Sequence, residues 1–167
     1  MPVVAACRGM IGELRMSGRV AVFVSFWILL AAAPAGAVDA GSITGFWNTQ
    51  DNDAVFEIYA CGSLYCGKII SLEEPNYPPT DKQMPGMPKV DSNNPNPALR
   101  NRTLVGLRLI FGFHYAGDNS WNGMIYNPED GETYKCNFSM DGENRLKVRG
   151  YIGIPLLGRT QVWTRRR

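Results

Sequence analysis

The chain has 167 residues, 45% of them hydrophobic and 19% charged, with 17 basic against 15 acidic side chains and a formal net charge of +2. That apolar content excludes an intrinsically disordered chain, and the length suits one domain able to bury a core of its own. So small a charge excess also removes the basic surface on which nucleic-acid binding depends.

The first element is a targeting segment. Val20–Ala33 is an apolar run preceded by Arg15 and Arg19 and followed by Pro34 and the small residues Ala35-Gly36-Ala37. This pattern predicts a signal peptide over residues 1–37, cleaved after Ala37, with Met1, Met10 or Met16 as the start. As a helix the run would cover about 21 Å, short of the roughly 30 Å hydrocarbon core, so no permanent membrane span is expected after cleavage. The expected address is the periplasm or the exterior of a bacterial cell. Residues 38–167 then form the single mature domain, with 14 basic and 14 acidic residues.

Eight candidate strands follow: Thr44–Gln50, Ala54–Ala60, Leu64–Leu72, Thr103–Tyr115, Trp121–Asn127, Thr133–Met140, Arg145–Ile152 and Leu157–Arg165. The last five are joined by turn-forming runs such as Gly117-Asp118-Asn119 and Asp141-Gly142-Glu143-Asn144. Sequential strands of this kind predict an all-β, eight-stranded antiparallel up-and-down barrel, which leaves no exposed sheet edge. Alternation places Tyr134, Cys136, Phe138, Met140, Leu146 and Val148 inside and sends Arg149 to solvent. The run Leu104–Phe113 is too uniformly apolar for its faces to be distinguished.

Cys61 and Cys66 flank a short turn between the second and third strands. Opposed hairpin positions lie about 4.5–5.5 Å apart at Cα, within reach of a disulfide, and an exported protein permits one. Cys136 is expected to be a buried free thiol. Between the third and fourth strands, residues 73–101 hold seven of the eleven prolines. So long a connection is a lid, a binding loop or disorder. Its first half, Asn76–Lys82, reads as mobile, and its second half, Asp91–Arg102, as ordered by Asx and Pro turns.

Together Gly45-Phe46-Trp47, Leu64-Tyr65-Cys66-Gly67-Lys68-Ile69, Asp91–Arg102 leading into Leu104-Val105-Gly106-Leu107, Trp121–Pro128, Val148–Gly153 and Gly158–Arg165 carry a family signature. The chain resembles domain of unknown function 2147, and the resemblance spans nearly all of the mature part. It implies a small exported bacterial protein with a lipocalin-like barrel. A looser likeness to lipocalins at large implies that Trp47 of the Gly-x-Trp and Arg165 of the last strand stack to close the barrel floor.

The chemistry on offer is sparse. His114 is the only histidine, no Gly-x-Ser-x-Gly occurs, and no metal-ligand spacing is visible, so no catalytic residues, metal or cofactor are expected. The candidate ligand-binding residues are Asp91, Asn94, Arg102, Trp121, Tyr126, Tyr134, Arg149 and Arg159. An Asp with Arg partners at a barrel mouth can hold a polar head group, or it can fasten the long loop to the barrel. Trp121, Tyr126, Tyr134, Tyr151, Phe111 and Phe113 either line a cavity or fill the core. Tyr126 and Tyr134 are expected to face each other across their hairpin. Two readings remain open: a carrier of a small hydrophobic or amphipathic ligand, or a non-enzymatic envelope module with a filled barrel that uses loop 73–101 as its contact surface. An enzyme built on Asp91 and Arg102 is a third.

Overall fold

The structure is a computed structural model that describes residues 39–167. The candidate signal segment lies outside the described residues. Eight strands, β1 (Gly45–Asn48), β2 (Ala54–Cys61), β3 (Leu64–Leu72), β4 (Arg108–Gly117), β5 (Ser120–Asn127), β6 (Glu132–Met140), β7 (Arg145–Tyr151) and β8 (Arg159–Arg165), form a closed antiparallel barrel in sequence order. Among the described residues no helix is long and apolar enough to cross a membrane.

A short 3-10 helix, Ala40–Ile43, precedes β1 and buries Ile43 completely. Arg165, paired with Trp47 across β1 and β8, lies with its guanidinium carbon 4.3 Å from the Trp47 ring centroid. Its nitrogens donate to the carbonyls of Ser42, Thr44 and Glu143. One side chain thus joins the leader, the first strand and the β6–β7 turn, and the stacking implied by the lipocalin likeness is present. Trp121 Nε1 donates to the Ala40 carbonyl at 2.9 Å and fastens the leader again from β5.

The interior is packed at this end. Phe113 and Phe138 stack at 4.0 Å, and Trp47, Trp121, Ile43 and Leu146 are fully buried around them. The predicted inward set on β6 and β7 is observed, with Cys136, Phe138, Met140, Leu146 and Val148 buried. Glycine is required at 123, because a Cβ there would lie 2.3 Å from the Phe113 ring. The Cys61–Cys66 disulfide closes the β2–β3 hairpin and Cys136 is free and buried.

Two strand features differ from expectation. β4 starts at Arg108 rather than Thr103, since Gly106 turns with φ +89° and its N–H bonds Ile69 while Thr103 pairs with Val90. Residues 103–107 are therefore the end of the long connection, with Leu107 in the core and Leu104 packed against it. The ladder also shifts between Phe111 and His114, where Gly112 has φ +70°. This bulge turns Phe111 outward, opposite Met124, while Phe113 points in.

Residues 73–107 carry backbone hydrogen bonds at several points along their length. Asn76 bridges to Pro88, the Tyr77 N–H bonds the Met87 carbonyl, and the Asp81 carboxylate accepts the N–H groups of Gln83 and Met84. The stretch expected to be mobile is thus one arm of a small hairpin, closed by the Asx turn at Asp81.

Candidate functional site

Toward the β5–β6 and β7–β8 turns, the aromatic packing stops at Phe56, the cross-strand partner of Trp47, and Trp163, which stack with centroids 4.6 Å apart. Beyond them is a recess of about 360 Å³ walled by Phe56, Ile69, Leu104, Leu109, Ile125 and Trp163. Thr49, Asp53, Asn127, Glu129 and Gln161 supply its polar atoms. The Gln161 side-chain oxygen Oε1 accepts the Trp163 indole N–H at 2.9 Å, so the floor of the recess offers no unpaired donor from the indole. Most of its wall positions follow from inward parity, because Phe56, Ile69, Ile125 and Trp163 all lie on the face that carries the core.

Ile125 and Asn127 are shared with a second cavity of about 720 Å³ formed with Asp130, Tyr134, Gly150, Tyr151, Ile152 and Arg159. Here the Tyr134 hydroxyl donates to Asp130 Oδ2 at 2.7 Å, and the Asn127 amide and Glu132 N–H donate to the same carboxylate. Burial pushes the Asp130 carboxyl up, but these hydrogen bonds outweigh it and hold the group below its usual value. Donation to Asp130 raises the Tyr134 phenol in turn. Arg159, opposite Gly150 on the inward parity of β8, supplies this cavity with a cation. A third hollow of about 410 Å³ adjoins the recess under the long connection, bordered by Glu73, Glu74, Tyr77 and Lys89.

Asp91, Asn94, Arg102 and Tyr126 come together, but on the outer wall. Tyr126 pairs with exposed Thr133, on the face that points out of the barrel, yet it is only 8% exposed because the long connection covers it. Its hydroxyl donates to Asp91 Oδ1 at 2.6 Å, and the Asn94 amide donates to both Asp91 Oδ2 and Tyr126 Oη. Arg102 approaches Asp91 Oδ2 through Nε and Nη2 at 3.0 and 2.9 Å. Asp91 has no exposed surface, and every side-chain polar atom of the Asp91–Asn94–Tyr126 group is partnered by its neighbours or by Arg102 and the backbone. Burial, then the bond to Asp91, pushes the Tyr126 phenol up to about 12. Asn93 fastens the same segment to the carbonyls of Pro128 and Glu129, with its own carbonyl so close to Gly131 that a Cβ there would lie 2.1 Å away. The arrangement is a latch between the long connection and the β5–β6 turn.

The expected meeting of Tyr126 and Tyr134 does not occur. Four residues, 128–131, separate Asn127 from its partner Glu132, so Tyr126 opposes Thr133 and Tyr134 opposes Ile125. The two phenols sit on opposite faces of the sheet, and only Tyr134 looks inward. Trp121 lies at the packed floor and borders none of these hollows. Arg149 points outward, as parity requires, and donates to the Pro155 and Leu156 carbonyls and to Thr160. His114 is exposed on the outer face of β4, opposite Asn122. Among the described residues no group of three or more His, Cys, Asp or Glu side chains is placed to hold a metal ion.

Phe56, Trp163, Ile125 and Gln161 were not among the residues singled out from sequence. Alternation along β2 and β8 marks them as inward, but only closure of the barrel shows at which height the packing ends.

A family model described as an uncharacterized protein conserved in bacteria, DUF2147, matches residues 45–165. Among solved structures the chain is similar to Helicobacter pylori HP1028, described as belonging to the lipocalin family. That likeness has a TM-score of 0.62 and 25% sequence identity, over 74% of this chain and 82% of the other. No curated protein matches the chain significantly.

Proposed function

Because the chain belongs to the bacterial DUF2147 family and folds as a lipocalin-like barrel with a recess at one end, we propose that it binds one small amphipathic ligand without converting it. The observation that carries this reading is the recess above the Phe56–Trp163 stack. About 360 Å³ lies at the lower end of the range for small-molecule sites, and its apolar walls with a few polar groups have the expected character. The apolar part of the ligand rests against Phe56, Leu109, Ile125 and Trp163. Its head group lies in the adjoining cavity, where Arg159 favours a negative charge and the Tyr134 and Tyr151 rings form the wall. We place the protein in the periplasm or outside the cell, where a cleaved signal peptide would deliver it.

Native mass spectrometry of freshly purified protein, followed by organic extraction, tests this reading. A retained mass that is lost on extraction supports a carrier. A bare chain that also takes up no added amphiphile favours the second reading, a non-enzymatic envelope module that meets partners through loop 73–101. The hydrogen-bonded hairpin in that loop, with Met87 exposed on one arm, is the observation in favour of the module.

A further inference from the structure

We propose that the loop between β7 and β8, residues 152–158, docks the open end of the barrel on an anionic lipid surface. Ile152, Ile154 and Leu156 are 72, 57 and 81% exposed, a run of large aliphatic side chains presented to solvent at alternate positions. Isolated exposed aliphatics need no explanation, but a clustered run does. From Ile152 to Gly158 the sequence Ile-Gly-Ile-Pro-Leu-Leu-Gly holds no side chain able to form a hydrogen bond. A protein partner is normally selected through such groups at the rim of an interface, whereas a bilayer requires only apolar surface at the tip.

The loop is built to present that tip. Gly158 lies so close to β7 that a Cβ would meet the Gly150 carbonyl at 2.5 Å, and its N–H bonds the Pro155 carbonyl. The Arg149 guanidinium takes the carbonyls of Pro155 and Leu156 at 2.8 and 3.1 Å, and Pro155 has no N–H to satisfy. These bonds pair the Pro155 and Leu156 carbonyls and the Gly158 N–H within the protein, which lowers the cost of bringing that part of the loop to an apolar phase.

Charge fixes the kind of surface. Arg149 and Arg159 flank the loop, one near the end of β7 and the other at the start of β8. Lys135 stands opposite Tyr151 at the base of the loop, and Arg159 opposite Gly150. The acidic neighbours are Asp130, which is bound by three donors, and Glu132, the first residue of β6. Tyr151 itself, half-buried at the base, is a residue type favoured at the membrane–water boundary. Ile152 also lines the cavity of about 720 Å³, so docking would open that cavity towards the lipid. The inference does not depend on what the cavity holds.

The test is co-sedimentation of the protein, expressed from the whole sequence and purified after export, with vesicles of phosphatidylglycerol and phosphatidylcholine or of phosphatidylcholine alone. Binding to the anionic vesicles should exceed binding to the neutral ones by about 10-fold or more, as two or three cations near the surface would give. The double variant Ile154→Ser with Leu156→Ser, altered only at exposed positions, should lose that binding while keeping its thermal midpoint. Absence of vesicle binding by the unaltered protein, or equal binding by the double variant, would overturn the proposal. So would a concentration-dependent dimer that the double variant abolishes, because a second copy would then cover the loop.

Discussion

Phe56 and Trp163 stack at 4.6 Å with 19° between their planes, and the recess opens against this pair. Trp163 also meets Phe138 at 6.2 Å, and Phe138 meets Phe113, so a continuous aromatic column rises from the floor and ends at Phe56. Phe56→Ala should therefore deepen the recess and destabilise the protein by about 3 kcal/mol, the ordinary cost of removing a buried phenylalanine. A urea titration read by far-ultraviolet circular dichroism checks the stability. Tighter uptake of bulkier apolar probes checks the space.

Arg159 faces the larger cavity without competing for the Asp91 latch. If it meets the ligand head group, Arg159→Ala should weaken an anionic amphiphile by roughly 10-fold or more, the scale of one charge-assisted hydrogen bond, and leave a neutral analogue unchanged. Calorimetric titration with a fatty acid and its alcohol separates the two. Equal loss for both would place the head group elsewhere.

The Asp91 latch should act on stability. Asp91→Ala leaves the Tyr126 hydroxyl without an acceptor and the Asn94 amide with Tyr126 Oη alone, although Arg102, with 39% of its side chain exposed, can rehydrate. The expected cost is about 2–3 kcal/mol, less than for a fully buried ion pair. Limited proteolysis should then cut within residues 73–107 well before the barrel itself opens. Unchanged protection of that segment would contradict the role assigned to Asp91.

At the floor, Arg165→Met keeps the length of the side chain but removes the stack on Trp47 and three donated hydrogen bonds. A loss of about 2 kcal/mol is expected, and Arg165→Lys should recover only part of it because an ammonium cannot span the same three carbonyls. Thermal denaturation of the two variants provides the comparison.

Alkaline pH offers a further check. Burial pushes the Cys136 thiol up to about 12, and burial with the Asp91 bond pushes the Tyr126 phenol to about 12. Both groups hold their protons more tightly in the folded state than in the unfolded chain, where they titrate near about 8.5 and 10. Their contribution is complete below those values and is lost as pH rises towards about 12, since the unfolded state sheds protons first. The urea midpoint should fall above about pH 9, less steeply in Tyr126→Phe, and Cys136 should resist alkylation until the chain unfolds.

Much of the barrel was legible because it is written locally. Turn-forming runs separate the last five strands, and the alternation from Tyr134 to Met140 and from Leu146 to Val148 marks their inner face. The error over Thr103–Leu107 has a different origin: Leu104 and Leu107 are apolar because they pack on the core, Thr103 pairs with Val90 rather than with a barrel strand, and only Gly106 hinted at the turn. Asp91, Asn94, Arg102 and Tyr126 were recognised as residues of interest, but the wall on which they meet depends on pairing across the β5–β6 hairpin. The recess was the least legible feature. Nothing near Phe56 in sequence announces that it stacks on a residue more than a hundred positions away.

The central claim is that the space above Phe56 and Trp163 accepts one ligand. The most direct measurement is a titration with N-phenylnaphthylamine of the unaltered protein and of Ile125→Trp, which places an indole at the wall shared by the recess and its neighbour. The account predicts saturable binding of one probe per chain with quenching of indole emission from Trp163, and loss of that binding in a stably folded Ile125→Trp. Binding that persists unchanged in the variant, or no saturable binding to the unaltered protein, would contradict it.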